Sequence, residues 1–162
     1  MVNCQMKCRF LDVAFPIITH LGGATFTLLS LLFLMMFFSE LRLVAAQSLL
    51  SLSLSHVIAH IIKKAYCRPR PYNVLSAVNL CAHPLKDYSF PSGHTTAAFA
   101  IAVMFSMYFS FLAPALIFMA FLVGLSRMYL GLHYPTDCII GAFLGSFTSG
   151  IVVYVSKVLF LQ

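Results

Sequence analysis

Phe90 to Arg127 reads FPSGHTTAAFAIAVMFSMYFSFLAPALIFMAFLVGLSR, and no charged side chain occurs in it before the final arginine. The uncharged run extends back to Asp87. At about 1.5 Å of rise per residue, one helix of that length would be nearly twice the roughly 30 Å hydrocarbon core of a bilayer, so the segment must fold back on itself. Leu112-Ala113-Pro114 supplies the turn. Three more uncharged runs flank this one: Asp12 to Glu40, Arg42 to Lys63 and Asp137 to Lys157. Together they predict five membrane spans, at about 21–38, 43–62, 93–111, 115–130 and 137–158.

Composition agrees with that division. The 162 residues are 61% hydrophobic and 9% charged, with a mean hydropathy of +0.96. A soluble domain carries about 25% charged residues, so this chain lacks the polar surface to face water on all sides. The expectation is an all-α, polytopic transmembrane helix bundle, one domain over residues 1–162, embedded in the bilayer. The formal charge of +6 would suggest nucleic acid in a soluble protein, but here the cations are clustered and no nucleic-acid partner is expected. Lys63, Lys64, Arg68, Arg70 and Lys86 lie between the second and third spans, and Arg127 closes the fourth. Such a cluster is either a local anion site or a loop obeying the positive-inside rule.

The five cysteines show none of the usual zinc spacings and read as small apolar side chains, although Cys67 and Cys81 share a loop and could bridge in an oxidising compartment. His56 and His60 fall on one helical face, but with no third ligand in view polar contacts near Lys63 account for them better than a metal. Tyr66, Tyr72 and Tyr88 suit interfacial anchors. No cleavage site precedes the apolar run, so a removed leader is not expected.

Parity brings the polar residues together. If the second span ends at Lys63, the third starts after Pro91, the fourth ends near Arg127 and the fifth starts near Asp137, all four ends share one membrane face. Three clusters then meet there. In KKAYCRPRP, residues 63–71, prolines fix the backbone and hold Lys63 and Arg70 in place. In PSGH, residues 91–94, Ser92 stands as a helix cap and Gly93 allows close approach to free N–H groups and to the positive end of the helix dipole, which suits phosphate. In SRMYLGLHYPTD, residues 126–137, Asp137 follows His133 by four residues. An aspartate that accepts a hydrogen bond from one ring nitrogen leaves the other free to attack or to take a proton. Taken singly these are a cap, an interfacial histidine and snorkelling cations; their convergence on one face argues for a site.

Lys63 with Arg70-Pro71, Pro91-Ser92-Gly93-His94, and Ser126-Arg127 with His133 and Asp137 together resemble the tripartite signature of the type 2 phosphatidic acid phosphatase family, related to bacterial acid phosphatases and vanadium haloperoxidases. The resemblance implies a lipid phosphate phosphatase with no metal and no cofactor. His133 would be the nucleophile forming a phosphohistidine, Asp137 its orienter, and His94 the general acid and then base. Lys63, Arg70 and Arg127, with the Ser92 hydroxyl and the Gly93 N–H, would hold the phosphoryl oxygens.

It further implies a multi-pass protein of the cell membrane with its site on the extracytoplasmic face and a membrane lipid as substrate: phosphatidic acid or phosphatidylglycerophosphate, or alternatively an isoprenoid diphosphate such as undecaprenyl diphosphate. Members of this type usually have six spans, with a helix ahead of the segment that here reads LDVAFPIITHLGG, Leu11 to Gly23. Either five spans suffice, or residues 1–20 form an interfacial helix over the site. A non-catalytic lipid-binding or transport protein is the remoter alternative, and a degenerate copy would be expected to lose His133, His94 or Asp137. Lys7 and Arg9 run against the positive-inside rule in this orientation.

Overall fold

The computed structural model describes residues 8–76, 78, 80 and 84–160. Seven α-helices follow one another among these residues: α1 Arg9–Ile18, α2 Ala24–Phe37, α3 Arg42–Tyr66, the single turn α4 Pro71–Val74, α5 Gly93–Tyr108, α6 Ala113–Tyr129 and α7 Pro135–Phe160. Prolines open several of them: Pro71 and Pro135 are first residues and Pro114 lies in the first turn of α6, where a missing N–H leaves no bond unmade. The turn expected at Leu112-Ala113-Pro114 is a 3₁₀ turn at Ser110–Leu112. In consequence α5 stops three residues short of the expected boundary.

Ser39–Val74, Ser110–Tyr129 and Pro135–Leu159 are long and apolar enough to cross a membrane. Arg9–Gly22 and Ala24–Phe37, bent by 55° at their junction, pass together as a fourth. The remaining helix, α5, has 16 residues, about 24 Å, and packs against α2, α3, α6 and α7. An all-α bundle of about five spans results, the N-terminal one bent between α1 and α2. Large apolar side chains such as Phe33, Phe111, Phe118 and Phe143 stay exposed on its outside, the face a bilayer would cover.

Small residues bring α5 close to α7. A Cβ on Gly141 would stand 2.8 Å from the Ser92 carbonyl oxygen, and one on Gly145 2.3 Å from that of Thr96. These two glycines, four apart, let the backbones touch. One turn further on, the Ser149 hydroxyl donates to the Ala100 carbonyl at 2.7 Å and lies 2.9 Å from that of Ser51 on α3. Tyr108 donates to Gln47 Oε1 at 2.6 Å. Polar groups buried in the span thus find partners within the bundle, as hydrocarbon surroundings demand.

The N-terminal helix docks on α6. Phe15 meets Tyr129 edge to face at 4.9 Å, and the Tyr129 hydroxyl donates to Asp12 at 2.7 Å. The following turn, Thr19–Gly22, presses on the head of α5: a Cβ on Gly22 would lie 2.5 Å from the His94 carbonyl oxygen. The segment is therefore part of the site's wall. Cys81, the partner that Cys67 could bridge, lies like Lys7 outside the described residues.

Candidate active site

All three sequence clusters reach one cavity of about 620 Å³, whose lining includes Lys63, Arg70, Gly93, His94, Arg127 and His133. Local backbone chemistry brings each there. At the end of α3, Cys67 takes the left-handed conformation (φ 46°) and its N–H returns to the Lys63 carbonyl at 3.1 Å, so the chain turns sharply into Arg68-Pro69-Arg70. After α6, Gly131 (φ 75°) turns the chain so that the Leu132 and His133 N–H groups both reach back to the Arg127 carbonyl, at 3.1 and 3.3 Å. That reversal folds His133 under the end of its own helix.

His133 is 4% exposed and held at both ring nitrogens. Nδ1 lies 2.7 Å from the Ser89 carbonyl oxygen, and Nε2 is 3.2 Å from Arg70 Nη1. A carbonyl only accepts and a guanidinium only donates, so the neutral ring carries its hydrogen on Nδ1 and its lone pair on Nε2. Burial pushes the imidazole down; Asp137 opposes the shift while Arg127 and Arg70 add to it, giving about 4. His133 is therefore neutral at physiological pH.

Asp137 was the expected partner of Nδ1, and its Oδ2 is 3.5 Å away, beyond the Ser89 carbonyl. Its carboxylate, fully buried, accepts from the Tyr134 N–H at 2.9 Å and from Arg68 Nη1 at 2.8 Å. Arg68 also reaches the Thr136 hydroxyl at 2.8 Å and lies 3.9 Å from the centre of the Tyr134 ring. His133 is thus hydrogen-bonded to a backbone carbonyl, with a carboxylate 3.5 Å from the same nitrogen that is itself anchored by a cation.

The cations differ in how they are held. Arg70, 2% exposed, donates to the Asp87 carboxylate at 2.6 Å and to the Asp87 and Leu132 carbonyls, each at 2.9 Å. Lys63 Nζ approaches the other Asp87 oxygen to 2.5 Å and the Tyr88 carbonyl to 3.0 Å. Partial burial pushes the Asp87 carboxyl up, but Lys63 and Arg70 outweigh it and hold the group at about 2. Arg127, 4% exposed, is the exception: Nη1 donates to Thr19 at 2.9 Å, no carboxylate pairs with it among the described residues, and its buried Nε has no partner. A buried, unsatisfied guanidinium beside an open cavity is built for an anion.

His94 and Gly93 line the cavity at the head of α5, and the space where a Cβ of Gly93 would project is open. Ser92 is placed otherwise than expected. It is the N-cap residue, yet its hydroxyl makes no cap bond; it is fully buried and accepts from the Thr95 hydroxyl at 2.9 Å. Its N–H donates to the Asp137 carbonyl at 3.0 Å, which fastens α5 to α7. The amide end of α5 is consequently left without a side-chain cap, beside the cavity. His83 lies outside the described residues, and no three His, Cys, Asp or Glu side chains among those described converge as metal ligands.

Sequence reading missed Ser89 and Thr19, named Arg68 only as one of the clustered cations and not as the partner of Asp137, and did not foresee the two ion pairs of Asp87. Ser89 acts through its carbonyl, which has no sequence signature. Arg68 offered one signal, a cation next to a proline in the run that already supplied Lys63 and Arg70.

A family model described as the PAP2 superfamily matches residues 44–160. The chain is 30% identical over 128 residues to an undecaprenyl-diphosphatase of Sulfolobus acidocaldarius, covering 76% of this chain and 61% of that one. It spans about half the length of the curated relatives it matches. The crystal structure of Aquifex aeolicus LpxE superposes with a TM-score of 0.81 at 33% identity, covering 94% of this chain and 90% of that one. That of a transmembrane PAP2 type phosphatidylglycerolphosphate phosphatase from Bacillus subtilis gives 0.78 at 26%, covering 96% and 81%.

Proposed function

The chain belongs to the PAP2 superfamily, and on that premise we propose that it is a membrane-embedded phosphatase that hydrolyses the phosphomonoester of a lipid through a phosphohistidine at His133. The observation that carries the reading is the fixed tautomer of His133: Nδ1–H donates to the Ser89 carbonyl, and the Nε2 lone pair, which accepts from Arg70 and is freed for attack when that guanidinium turns to a phosphoryl oxygen, borders a cavity that also holds Arg127, with no carboxylate partner among the described residues.

The chemistry follows from that arrangement. Nε2 of His133 attacks phosphorus, the N–P bond forms, and the bond from phosphorus to the lipid oxygen breaks. His94 gives its proton to the departing alkoxide. Water then attacks phosphorus with His94 taking its proton, the N–P bond breaks, and inorganic phosphate leaves with His133 neutral again. Arg127, Arg70, Lys63 and the Gly93 N–H stabilise the equatorial oxygens in the transition state. Asp137 orients His133 and favours the imidazolium-like charge that builds on attack. The buried Ser92 hydroxyl accepts from Thr95 of the same helix instead of touching phosphate, and it is the Ser92 N–H that ties α5 to Asp137.

We place this site on the extracytoplasmic face, as the family resemblance implies; parity adds only that the N-terminus lies on the same side as the site. The substrate in this reading is phosphatidylglycerophosphate or phosphatidic acid. An isoprenoid diphosphate is the second reading, favoured by the likeness to the archaeal undecaprenyl-diphosphatase.

Phosphate release by purified protein with EDTA present, on these three lipids and beside His133→Ala, tests the proposal. The wild type should release phosphate and form an acid-labile, alkali-stable phosphoenzyme. The variant should do neither, with turnover down by about 10⁴-fold or more. Turnover that survives His133→Ala would refute it.

A further inference from the structure

Two imidazoles on α3 have no part in the hydrolysis just described. His56 and His60 both line the cavity, one helical turn and about 6 Å apart along the axis. Ionisable side chains are expensive within a span and ordinarily mark a function there. His56 Nδ1 lies 3.0 Å from the Leu52 carbonyl oxygen. Since a carbonyl only accepts, Nδ1 carries the hydrogen, and a neutral His56 offers the lone pair of Nε2 to the cavity. None of the hydrogen bonds among the described residues ends on that nitrogen.

The position of His56 says what it would meet. It lines the same cavity as His94, which in this reading protonates the leaving oxygen, and it lies two turns of α3, about 10 Å, from Lys63 toward the middle of the span, on the hydrocarbon side of the phosphate-binding cations. Whatever reaches His56 therefore belongs to the departing alcohol. Around it the wall is apolar, with Ala24, Val57 and Ile61; the nearest cation on the same helix, Lys63, is already paired with Asp87.

We propose that His56, with His60 a turn nearer the surface, forms a subsite for the leaving alcohol that selects lipid phosphomonoesters bearing a hydroxyl next to the phosphoester. The inference rests on the phosphatase reading and narrows it. A hydroxyl donates to the Nε2 lone pair. The second phosphate of a diphosphate, or the ester oxygens of a diacylglycerol, would set acceptors against it. Phosphatidylglycerophosphate, whose departing glycerol keeps a free hydroxyl, meets the requirement; phosphatidic acid and isoprenoid diphosphates do not.

The test uses a matched pair in lipid nanodiscs, phosphatidylglycerophosphate and its analogue lacking only that hydroxyl. The wild type should favour the hydroxylated lipid in kcat/KM by about tenfold, the effect of one net hydrogen bond. His56→Leu and, as a second apolar replacement, His56→Phe should bring the two lipids within about twofold of each other. Equal use of both lipids by the wild type overturns the proposal, whatever the variants do. So does a preference that persists in a folded variant, including equal losses on both lipids, which would assign His56 to the support of His94. Binding of the same pair in the His133→Ala background gives a readout free of turnover. A preference that appears there while no lipid is hydrolysed by the wild type would sink the phosphatase reading and leave the subsite standing.

Discussion

The Nδ1–H of His133 donates to the backbone carbonyl of Ser89 at 2.7 Å, while the Asp137 carboxylate stands 3.5 Å from the same nitrogen. The tautomer of His133 is thus set by a group that cannot titrate. The folded value of about 4, below the ordinary 6.5, means that the reactive neutral form prevails above pH 4 and is lost as the pH falls through it. Nitrogen-15 histidine spectra of the solubilised protein should show one imidazole, absent in His133→Asn, keeping its Nδ1–H tautomer from pH 8 to 5. Protonation of that ring near 6.5 would contradict the assignment.

Arg127 should show opposed effects on stability and activity. Its Nε is buried without a partner, so Arg127→Met removes an uncompensated charge and is expected to raise the stability of the empty protein by about 1 kcal/mol. Activity should drop by about 10³-fold. Vanadate should raise the melting temperature of the wild type and leave that of the variant where it was. A variant that melts lower and still responds to vanadate would show that the guanidinium is structural.

Arg68 acts at one remove, through Asp137. Arg68→Ala should lower kcat by about tenfold with little change in phosphate affinity, because the partner lost is a charge-assisted bond to a buried carboxylate. Arg68→Lys should recover part of the loss. A change confined to KM would instead put Arg68 in contact with substrate.

Close packing of α5 on α7 is testable with alanine. At Gly145 the added methyl meets the Thr96 carbonyl oxygen at 2.3 Å, while at Gly150 it meets nothing within 4 Å. Gly145→Ala should therefore destabilise by about 1–3 kcal/mol and reduce activity, and Gly150→Ala should be neutral or slightly stabilising. Thermal unfolding in detergent compares them directly.

Orientation can be read from Cys67, which is exposed at the end of α3 beside the cavity. In a variant retaining it as the sole cysteine, a membrane-impermeant maleimide should label intact spheroplasts. Labelling only after lysis would turn the site to the cytoplasmic face.

Much of this architecture was legible in the sequence because charge is so scarce. With 9% charged residues, most Lys and Arg residues mark a helix end or the loop beyond it, and the three clusters around Lys63, His94 and His133 had to converge once the span count was set. Their finer roles were not legible. The Ser89 carbonyl that holds His133 has no side-chain signature. The Ser92 hydroxyl is drawn away from the cavity by Thr95, a contact that depends on the rotamers chosen under α7. The alliance of Arg68 with Asp137 joins residues 69 apart, and only the folded loop reveals it.

The glycine seam between α5 and α7 also bears on how the protein responds to the membrane around it. His94 is the second residue of α5 and His133 stands two residues before α7, so the two histidines ride on helices joined backbone to backbone through Gly141 and Gly145. A change in bilayer thickness is met by tilting of helices, and α7 itself faces lipid through Phe143 and Phe147, so the glycine seam makes α5 and α7 tilt as one body. The spacing between His94 and His133 is set inside the braced pair, and a thinner or thicker membrane changes the approach to the cavity before it changes the alignment of the two imidazoles.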